Sequence, residues 1–545
     1  MNKLIHYIIF CSLFFTACNE ETLPKAPPVS PDGEGVEIIL NLAPQPIQAP
    51  APATKSSAGN NNSNVLASSR EGAMFLELLA EQPDAATRAT EVDETTIDNA
   101  WIFLFNGVFS DGTNGTSAND PTLIKKLYKS DFQNDKGIRL TKVGTSGKQL
   151  IVVLANSFNP TLTNGLTENS SKYSALKALS STVDIPTNRF LPMSGELAAE
   201  IPSTATDLVT FTVPVKRIVA KATMEVQLAE PDKYPATGYW TAQLCSTAQI
   251  YWYPNISTTA TVPFPADTET FNFPAEEKIE LSSNSTDSKT FTWYVPINLR
   301  GTVSNDAIGA NRAKNAPNWA SYIKITYYNR DNGYLTQRDY YIHLGANFTT
   351  DYNVAGNTHY TYKVKFYLNA TEDTRVRNSN AVYLGMFGGE LKETNGVYQF
   401  TKELWMQTAD VNSSGTTAWK WTGAGTTNFI SGKANTLTSV KSSTGNLAYK
   451  CFEKNEYLKP SYTSTDDPSF QWYLPAISQL ASFWIVRTSI ANDYLPTGQY
   501  WGSSQFITDS NCAWYMDSDM GQVIYAKKGD KSFKVRCVKE LQKFE

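Results

Sequence analysis

The chain has 545 residues, enough for three or four domains, and a formal net charge of −5. This mildly acidic balance supplies no basic patch, so we expect no nucleic-acid partner. Aromatic residues make up 12% and charged residues 18% of the chain, which is typical of β-sheets with one hydrated face. Only His343 and His359 lie beyond the N-terminal segment, which excludes a His-rich metal site, and we expect no cofactor.

The first eighteen residues predict export. Lys3 precedes an apolar run from Leu4 to Phe15 that is too short to span a bilayer stably. Small residues then stand before Cys18, a pattern that resembles the lipobox of bacterial lipoproteins. The resemblance implies that residues 1–18 are a signal peptide and that Cys18 is acylated, anchoring the chain at the outer membrane surface. The alternative is a plain secretory signal with a chance cysteine.

Residues 19–94 are predicted to be a tether or propeptide. Several prolines interrupt residues 19–35, and a linker rich in Ala, Pro, Ser and Asn runs from residue 44 to 69. Two apolar stretches within the segment, residues 36–42 and 74–83, are strand candidates; the second is also compatible with a short helix.

Two β domains are predicted next, over residues 95–225 and 226–375. Apolar runs or alternating patterns predict strands in both, and Asn332-Gly333 predicts a hairpin turn. A short helix is expected over residues 174–181. The clearest predicted strands are residues 100–107, which end in a turn, and residues 149–156, 238–244, 290–296, 321–327 and 360–366.

Residues 376–545 have a different composition and are predicted to form a separate α+β domain. This part holds seven tryptophans, and residues 478–488 have helical apolar spacing with Ser478 as a possible N-cap. Cys451, Cys512 and Cys537 also lie here, and in an oxidising compartment one disulfide among the three is expected.

Several phrases together resemble the fimbrillins of Bacteroides-type bacteria, which build type V pili. The resemblance covers about residues 36–370 and implies two tandem β-sandwich domains of transthyretin-like topology. Any single phrase is weak, but their common order behind a lipobox is fairly specific. The matching phrases are residues 101–107, 152–156, 191–196, 217–221, 294–301, and 352–354 together with 357–360.

The fimbrillin resemblance also implies a route of assembly. Subunits of that family are exported as lipidated precursors, cut after an arginine, and joined when a neighbour's terminal strand fills the vacated groove. Arg88, followed by Ala89 and flanked by small residues, is the first candidate for the cut, and Arg70 is the second. An ordinary exposed loop arginine is the alternative for both. Other fimbrial subunits are the expected partners.

The C-terminal part is similar to the Fibrobacter-type paralogous surface domain, whose fold is C-type-lectin-like. The resemblance rests on residues 472–475, 500–504, 513–515 and 535–538, although Trp-Tyr-Leu-Pro replaces the family's Trp-Arg-Leu-Pro. It implies a disulfide between Cys451 and Cys537. Three tryptophans of this part are candidates for a ligand surface, because aromatic faces pack on sugars: Trp472, Trp501 and Trp514. The alternative is that they belong to the core.

No carboxylate pair, phosphate loop or dinucleotide fingerprint indicates an enzyme. We therefore expect a surface fimbrial subunit, at the tip or in an accessory position, that mediates adhesion to a host or bacterial surface ligand such as a glycan. The lipid would be a temporary anchor, lost when the subunit enters the fimbrium. The alternative is an outer-membrane, glycan-binding lipoprotein that is not part of a pilus.

Overall fold

The computed structural model describes most of the chain beyond residue 35. Within the described ranges no helix is both long and apolar enough to cross a membrane. The described residues are 36–50, 64–70, 72, 74–80, 93–106, 120–140, 148–156, 161, 163–182, 190–201, 208–230, 234, 238–253, 271–272, 277–279, 288–303, 309–367, 373–386, 391–411, 417–418, 427–442, 447–458 and 470–542.

The first part of the chain forms strands around one short helix. Its elements are β1 (Val36–Pro44), β2 (Val65–Ser69), β3 (Met74–Leu79), β4 (Ala100–Asn106), β5 (Thr122–Lys129), β6 (Gly137–Leu140), β7 (Lys148–Ala155), α1 (Tyr173–Lys177), β8 (Leu179–Thr182), β9 (Met193–Glu200), β10 (Val209–Arg217) and β11 (Val219–Leu228).

Seven of these strands form what we call the first sheet, in the order β5-β4-β7-β9-β10-β1-β6. Strands β4 and β7 of this sheet are continuous apolar runs because both of their faces are buried. Ile102 and Val153 face one core, whereas Phe103 and Val152 face a second core that also contains Leu176 of α1.

The middle of the chain continues with strands and short helical turns. Its elements are β12 (Tyr239–Cys245), β13 (Thr247–Ala248), β14 (Ile250–Tyr253), β15 (Phe271–Asn272), β16 (Glu277–Ile279), β17 (Ser288–Pro296), β18 (Asn298–Thr302), a 3-10 turn (Gly309–Asn311), α2 (Arg312–Asn315), β19 (Tyr322–Asp331), β20 (Tyr334–His343), β21 (Asp351–Val354) and β22 (His359–Phe366).

A second sheet, β17-β11-β22-β3-β2, packs across a shared core from the strands β12, β19 and β20 of a third sheet. Alternate side chains of each strand point into this core, among them Ala222, Tyr362, Trp240 and Ile325. The arrangement is a two-sheet sandwich. The predicted hairpin joins β19 to β20, and Asn332 and Gly333 both have positive φ, of 48° and 76°.

The last part of the chain mixes strands and helices. Its elements are β23 (Val376–Asn378), β24 (Ala381–Gly385), β25 (Leu391–Thr394), β26 (Val397–Phe400), β27 (Lys402–Gln407), β28 (Thr417–Ala418), α3 (Gly432–Ser442), α4 (Leu447–Phe452), a 3-10 segment (Glu453–Leu458), β29 (Trp472–Tyr473), α5 (Ile477–Ile485), 3-10 turns (Arg487–Ser489 and Asn492–Tyr494), β30 (Gln499–Gln505), β31 (Cys512–Asp517), β32 (Gln522–Lys527), β33 (Ser532–Phe533) and β34 (Val538–Gln542).

The third sheet does not stop at the predicted boundary near residue 376. It runs in the order β16-β12-β19-β20-β24-β27-β34-β29, so strands of the C-terminal part continue the sheet of the sandwich. Tyr334 of β20 pairs directly with Val382 of β24. The C-terminal α+β part therefore shares backbone hydrogen bonds with the part before it.

The predicted strands of the two β domains are confirmed, and three expectations need correction. The two strand candidates within residues 19–94 form β1 and β3, whereas β2 lies in the stretch predicted to be a low-complexity linker and pairs with β3. Strand β11 starts in the predicted first domain but pairs within the second sheet. The helix expected over residues 174–181 ends at Lys177, because residues 179–182 pair with β14.

Candidate assembly and adhesion sites

Strand β1 fills a position inside the first sheet. It pairs in parallel with β10 and antiparallel with β6. Val36, Ile38 and Leu40 alternate along it and are almost fully buried in one core of that sheet. Burying each such side chain stabilises the fold by about 1.5–3 kcal/mol, so the first sheet depends on a strand near the described N-terminus.

Strand β3 likewise fills a position inside the second sheet. It pairs antiparallel with β22, and β2 pairs along its other side. Met74, Leu76 and Leu78 are buried in the core of the sandwich. The N-terminal segment thus supplies one core strand to each of two separate hydrophobic cores.

The candidate cleavage positions lie close to these strands in the chain: Arg70 lies between β2 and β3, and Arg88 follows β3. Arg88 and Ala89 lie outside the described residues, as does the lipidation candidate Cys18. Arg70 is described: it is exposed just after β2, with its guanidinium 4.8 Å from the centre of the Phe75 ring. A cut after Arg88 would separate all three strands from the rest of the chain, whereas a cut after Arg70 would leave β3 attached.

The chain is held firmly at Glu94, shortly after Arg88. The Glu94 carboxylate accepts hydrogen bonds from Lys221 Nζ at 2.8 Å and from the Tyr294 hydroxyl at 2.6 Å. Arg217 Nε donates to the Glu94 carbonyl at 2.9 Å. Burial raises the pKa of Glu94, but the bonds from Lys221 and Tyr294 outweigh it, so the pKa lies below its usual value. Sequence reasoning missed Glu94 because its partners come from β10, β11 and β17.

The C-terminal strand β34 is enclosed inside the third sheet. It pairs with β27 on one side and with β29 on the other. Lys539, at its centre, is fully buried, and its Nζ donates to Gln337 Oε1 of β20 and to the Ser379 carbonyl. Burial lowers the pKa of Lys539 to about 7. The strand is therefore held by backbone pairing and by a buried side chain.

A disulfide joins Cys537, immediately before β34, to Cys451 of α4. This is the pair that the resemblance implies. Cys512 and Cys245 are buried, and neither forms a disulfide within the part of the chain that the structure describes. The disulfide links the end of the chain to the helical layer, which further fixes the position of β34.

The three candidate tryptophans differ in burial. Trp472 and Trp501 are 4% and 0% exposed and fill the core of the C-terminal part, so they belong to the core and not to a ligand surface. Trp514 is half-buried beside Phe506 and Tyr525, with ring centres 5.3 and 6.0 Å away. Of the three, only Trp514 has a ring with access to solvent.

An exposed apolar surface lies near Trp514 and was not predicted. Val523, Ile524 and Tyr525 of β32 are 37–49% exposed, on a strand that pairs only with β31 among the described residues. Trp484, 42% exposed, packs over Gly521 at the start of β32: a Cβ on that glycine would lie 2.5 Å from the indole. Trp484 lies at the end of α5, so no strand pattern in the sequence connects it with β32.

The two histidines lie in polar or aromatic surroundings within strands. His343 is buried against Tyr322 and Tyr352, and burial, with Arg312 nearby, lowers its pKa to about 3. His359 Nε2 contacts the Thr223 hydroxyl at 2.9 Å. Within the described ranges, histidine, cysteine and carboxylate side chains form no cluster suited to a metal ion.

Two family models match parts of this chain. Residues 75–231, from β3 to just beyond β11, match the major fimbrial subunit protein (FimA). Residues 293–364, from the second half of β17 to most of β22, match a domain of unknown function, DUF4906. The comparison with curated proteins finds no significant match.

Solved structures of fimbrial proteins also align with the chain at low similarity. The tip fimbrial protein Mfa3 of Porphyromonas gingivalis has 17% identity, covers 53% of this chain and 94% of its own, and has a TM-score of 0.33. A fimbrial assembly protein of Parabacteroides distasonis has 13% identity, coverages of 53% and 88%, and a TM-score of 0.30. The fimbrilin FimA of Porphyromonas gingivalis has 11% identity, coverages of 62% and 99%, and a TM-score of 0.28.

Proposed function

We propose that this protein is a tip or accessory subunit of a surface fimbrium, delivered as a lipoprotein through Cys18 and joined to its neighbour by strand exchange. The match of residues 75–231 to a major fimbrial subunit supports the assignment to the class of fimbrial subunits. The positions of β1 and β3 support the exchange, because both strands fill cores and both precede Arg88. Removing them would open grooves that an added strand could fill.

The enclosed strand β34 is the observation that favours a terminal position. A repeated stalk subunit must give a strand to its neighbour as well as accept one. Here the last described strand has partners on both sides, a buried Lys539 and an adjacent disulfide. A subunit that accepts a strand through its N-terminal grooves, and keeps β34 in its own sheet, suits a position at an end of the filament.

Adhesion is proposed to reside in the C-terminal part. The exposed side chains of Trp484 and Tyr525 offer aromatic faces, which pack on the C–H groups of sugars. Exposed apolar surface of this kind commonly marks interaction sites. The same surface would serve the alternative function, a glycan-binding lipoprotein of the outer membrane outside any pilus.

N-terminal sequencing of the protein from purified surface filaments tests the proposal. We expect mature protein that begins at Ala89, and we expect the Arg88→Ala variant to remain a lipidated precursor that is absent from filaments. Arg70→Ala is the matched control, and a shifted start in that variant instead would assign the cut to Arg70. Protein found only in membranes with acylated Cys18, and never in filaments, would contradict the fimbrial function.

A further inference from the structure

We propose that the junction between the first and second sheets is a second recognition site, which binds the segment that follows the exchanged strand. In the present structure residues 45–50, directly after β1, occupy this junction. The inference rests on the strand exchange proposed above. It assigns the partner a feature beyond the groove: an extended segment that continues past the donor strand and spans both β units.

Residues 45 and 46 are held through their backbone. Gln45 N–H donates to the Val215 carbonyl at 2.8 Å, and the Gln45 carbonyl accepts from Arg217 Nη1 at 2.9 Å. The Pro46 carbonyl accepts from Asn357 Nδ2 at 2.7 Å. Position 46 accepts a hydrogen bond and donates none, so a proline fits there without loss of a donor.

Residues 47–50 continue the contact on the second unit. Gln48 N–H donates to the Asn357 carbonyl at 2.9 Å, and His359 N–H donates to the Gln48 carbonyl at 2.8 Å. The half-buried Ile47 lines a small apolar pocket together with Leu191, Val219 and Tyr294. The junction therefore recognises an extended backbone and one apolar side chain, three residues beyond the end of β1.

Asn357 and Arg217 connect the two units at this site. Arg217 ends β10 of the first sheet, and Asn357 lies just before β22 of the second sheet. Arg217 Nη1 donates to Asn357 Oδ1 at 2.9 Å, and both side chains are almost fully buried. A segment bound here contacts both sheets at once, so it would fix their relative arrangement as well as its own register.

A cavity of about 550 Å3 extends the site from Gln48 to Pro50. Its walls combine charged, polar and apolar side chains, which suits a polypeptide with mixed side chains better than a purely apolar ligand. The lining includes Glu196, Lys216, Ile297, Asn353 and Tyr360. Donor residues beyond the position of Pro50 would find room there.

Peptide exchange on the full chain tests this site. A recognition sequence for a site-specific protease replaces residues 84–90, and the cut protein is mixed with synthetic fluorescent peptides of residues 36–44 or 36–50. We expect both peptides to displace the endogenous strand. The longer one should dissociate at least about tenfold more slowly, since each added backbone hydrogen bond contributes a factor of roughly five.

The variant Asn357→Gly isolates the junction. Asn357 has a positive φ of 52°, which glycine also adopts, so the substitution removes the amide and keeps the turn. We expect it to speed dissociation of the 36–50 peptide about fivefold and to leave the 36–44 peptide unchanged. Asn332→Gly, at another positive-φ turn remote from the junction, is the matched control and should change neither rate.

The outcomes separate the two proposals. Equal dissociation rates for the two peptides in the otherwise unaltered protein would overturn the junction site and leave strand exchange standing. An Asn357→Gly protein that slows or does not change release of the longer peptide would also overturn it. If neither peptide enters the cut protein, strand exchange itself fails, and the junction site fails with it.

Discussion

Buried polar side chains join segments that are far apart in this chain. Asn156, with a positive φ of 55°, accepts from Asp98 N–H and donates to the carbonyls of Thr96 and Leu191. Arg217 and Asn357 do the same around the segment after β1. These residues lie in phrases that resemble fimbrillins, and their role there is to satisfy backbone groups that would otherwise be buried without partners.

We expect Glu94→Gln to lower the free energy of unfolding by about 2 kcal/mol at pH 7, because the carboxylate is half-buried and hydrogen bonds to a charged group contribute about that much. The folded-state pKa of Glu94 lies below its usual value, so its contribution is present above the unfolded pKa and is lost as the pH falls through the folded one. Urea unfolding at pH 7 and at pH 3 measures this, and the difference between variant and parent should shrink at pH 3.

Glu225→Gln is the control for Glu94, because the Glu225 pair with Lys363 spans 3.2 Å with both side chains about one-third to one-half exposed. Its cost should stay below about 0.5 kcal/mol. Equal losses for the two variants would contradict a special role for Glu94.

At the level of elements, local patterns predicted most strands but not their partners. The residues that form β4 are a continuous apolar run, which must be buried whichever strands it pairs with. Its assignment as a strand therefore follows from the sequence. The parallel pairing of β1 with β10 joins residues far apart in the chain, and nothing local encodes it. Helix α5 begins at Ile477, not after Ser478, because Gln479 Oε1 accepts from Ala476 N–H and replaces a serine cap.

The candidate site was predictable only in part for the same reason. The cysteine pair followed from a resemblance between short phrases, whereas burial of Trp472 and Trp501 depends on which strands and helices meet around them. The enclosure of β34 required knowledge of the whole third sheet. Sequence therefore indicated the kind of protein more clearly than the surfaces through which it would act.

Removing the disulfide should loosen the C-terminal part selectively. The bond closes a loop of 86 residues, and the chain-entropy model assigns such a loop about 4.6 kcal/mol. We expect the double variant Cys451→Ala/Cys537→Ala to lose protection of β34 and α4 in amide hydrogen exchange, with β1 and β10 little affected. Cys512→Ala removes a free cysteine and is the control. Unchanged protection of β34 would show that sheet pairing alone holds it.

Across the whole molecule, the third sheet couples the sandwich to the C-terminal part. Besides the strand pairing, Arg330 of β19 contacts Glu403 of β27 at 2.9 Å, and its guanidinium lies over the rings of Tyr383 and Trp405. A load applied to the C-terminal surface would thus pass through strand pairs and buried polar contacts, not through a flexible linker. This continuity suits a subunit that binds at one end and is held at the other.

Lys539 allows the coupling to be tested by pH. Its folded pKa of about 7 lies below the unfolded value near 10.5, so between these values the unfolded chain binds more protons. The stability of the parent protein should therefore rise as the pH increases from about 7 towards 10. Asp339 favours the charged form, whereas Arg377 and Lys324 oppose it, and desolvation is the largest effect.

We expect Lys539→Met to flatten this pH dependence, with exposed Lys531→Met as the control that retains it. Because Lys539 contacts Gln337 in the sandwich, the flattening should be seen both in β20 and in β34 when hydrogen exchange is followed from pH 7 to 9. If only β34 responds, the two parts open independently, and the shared sheet does not couple them. If both respond together, the proposed adhesion surface and the proposed strand-accepting grooves belong to a molecule whose C-terminal part cannot loosen without its sandwich.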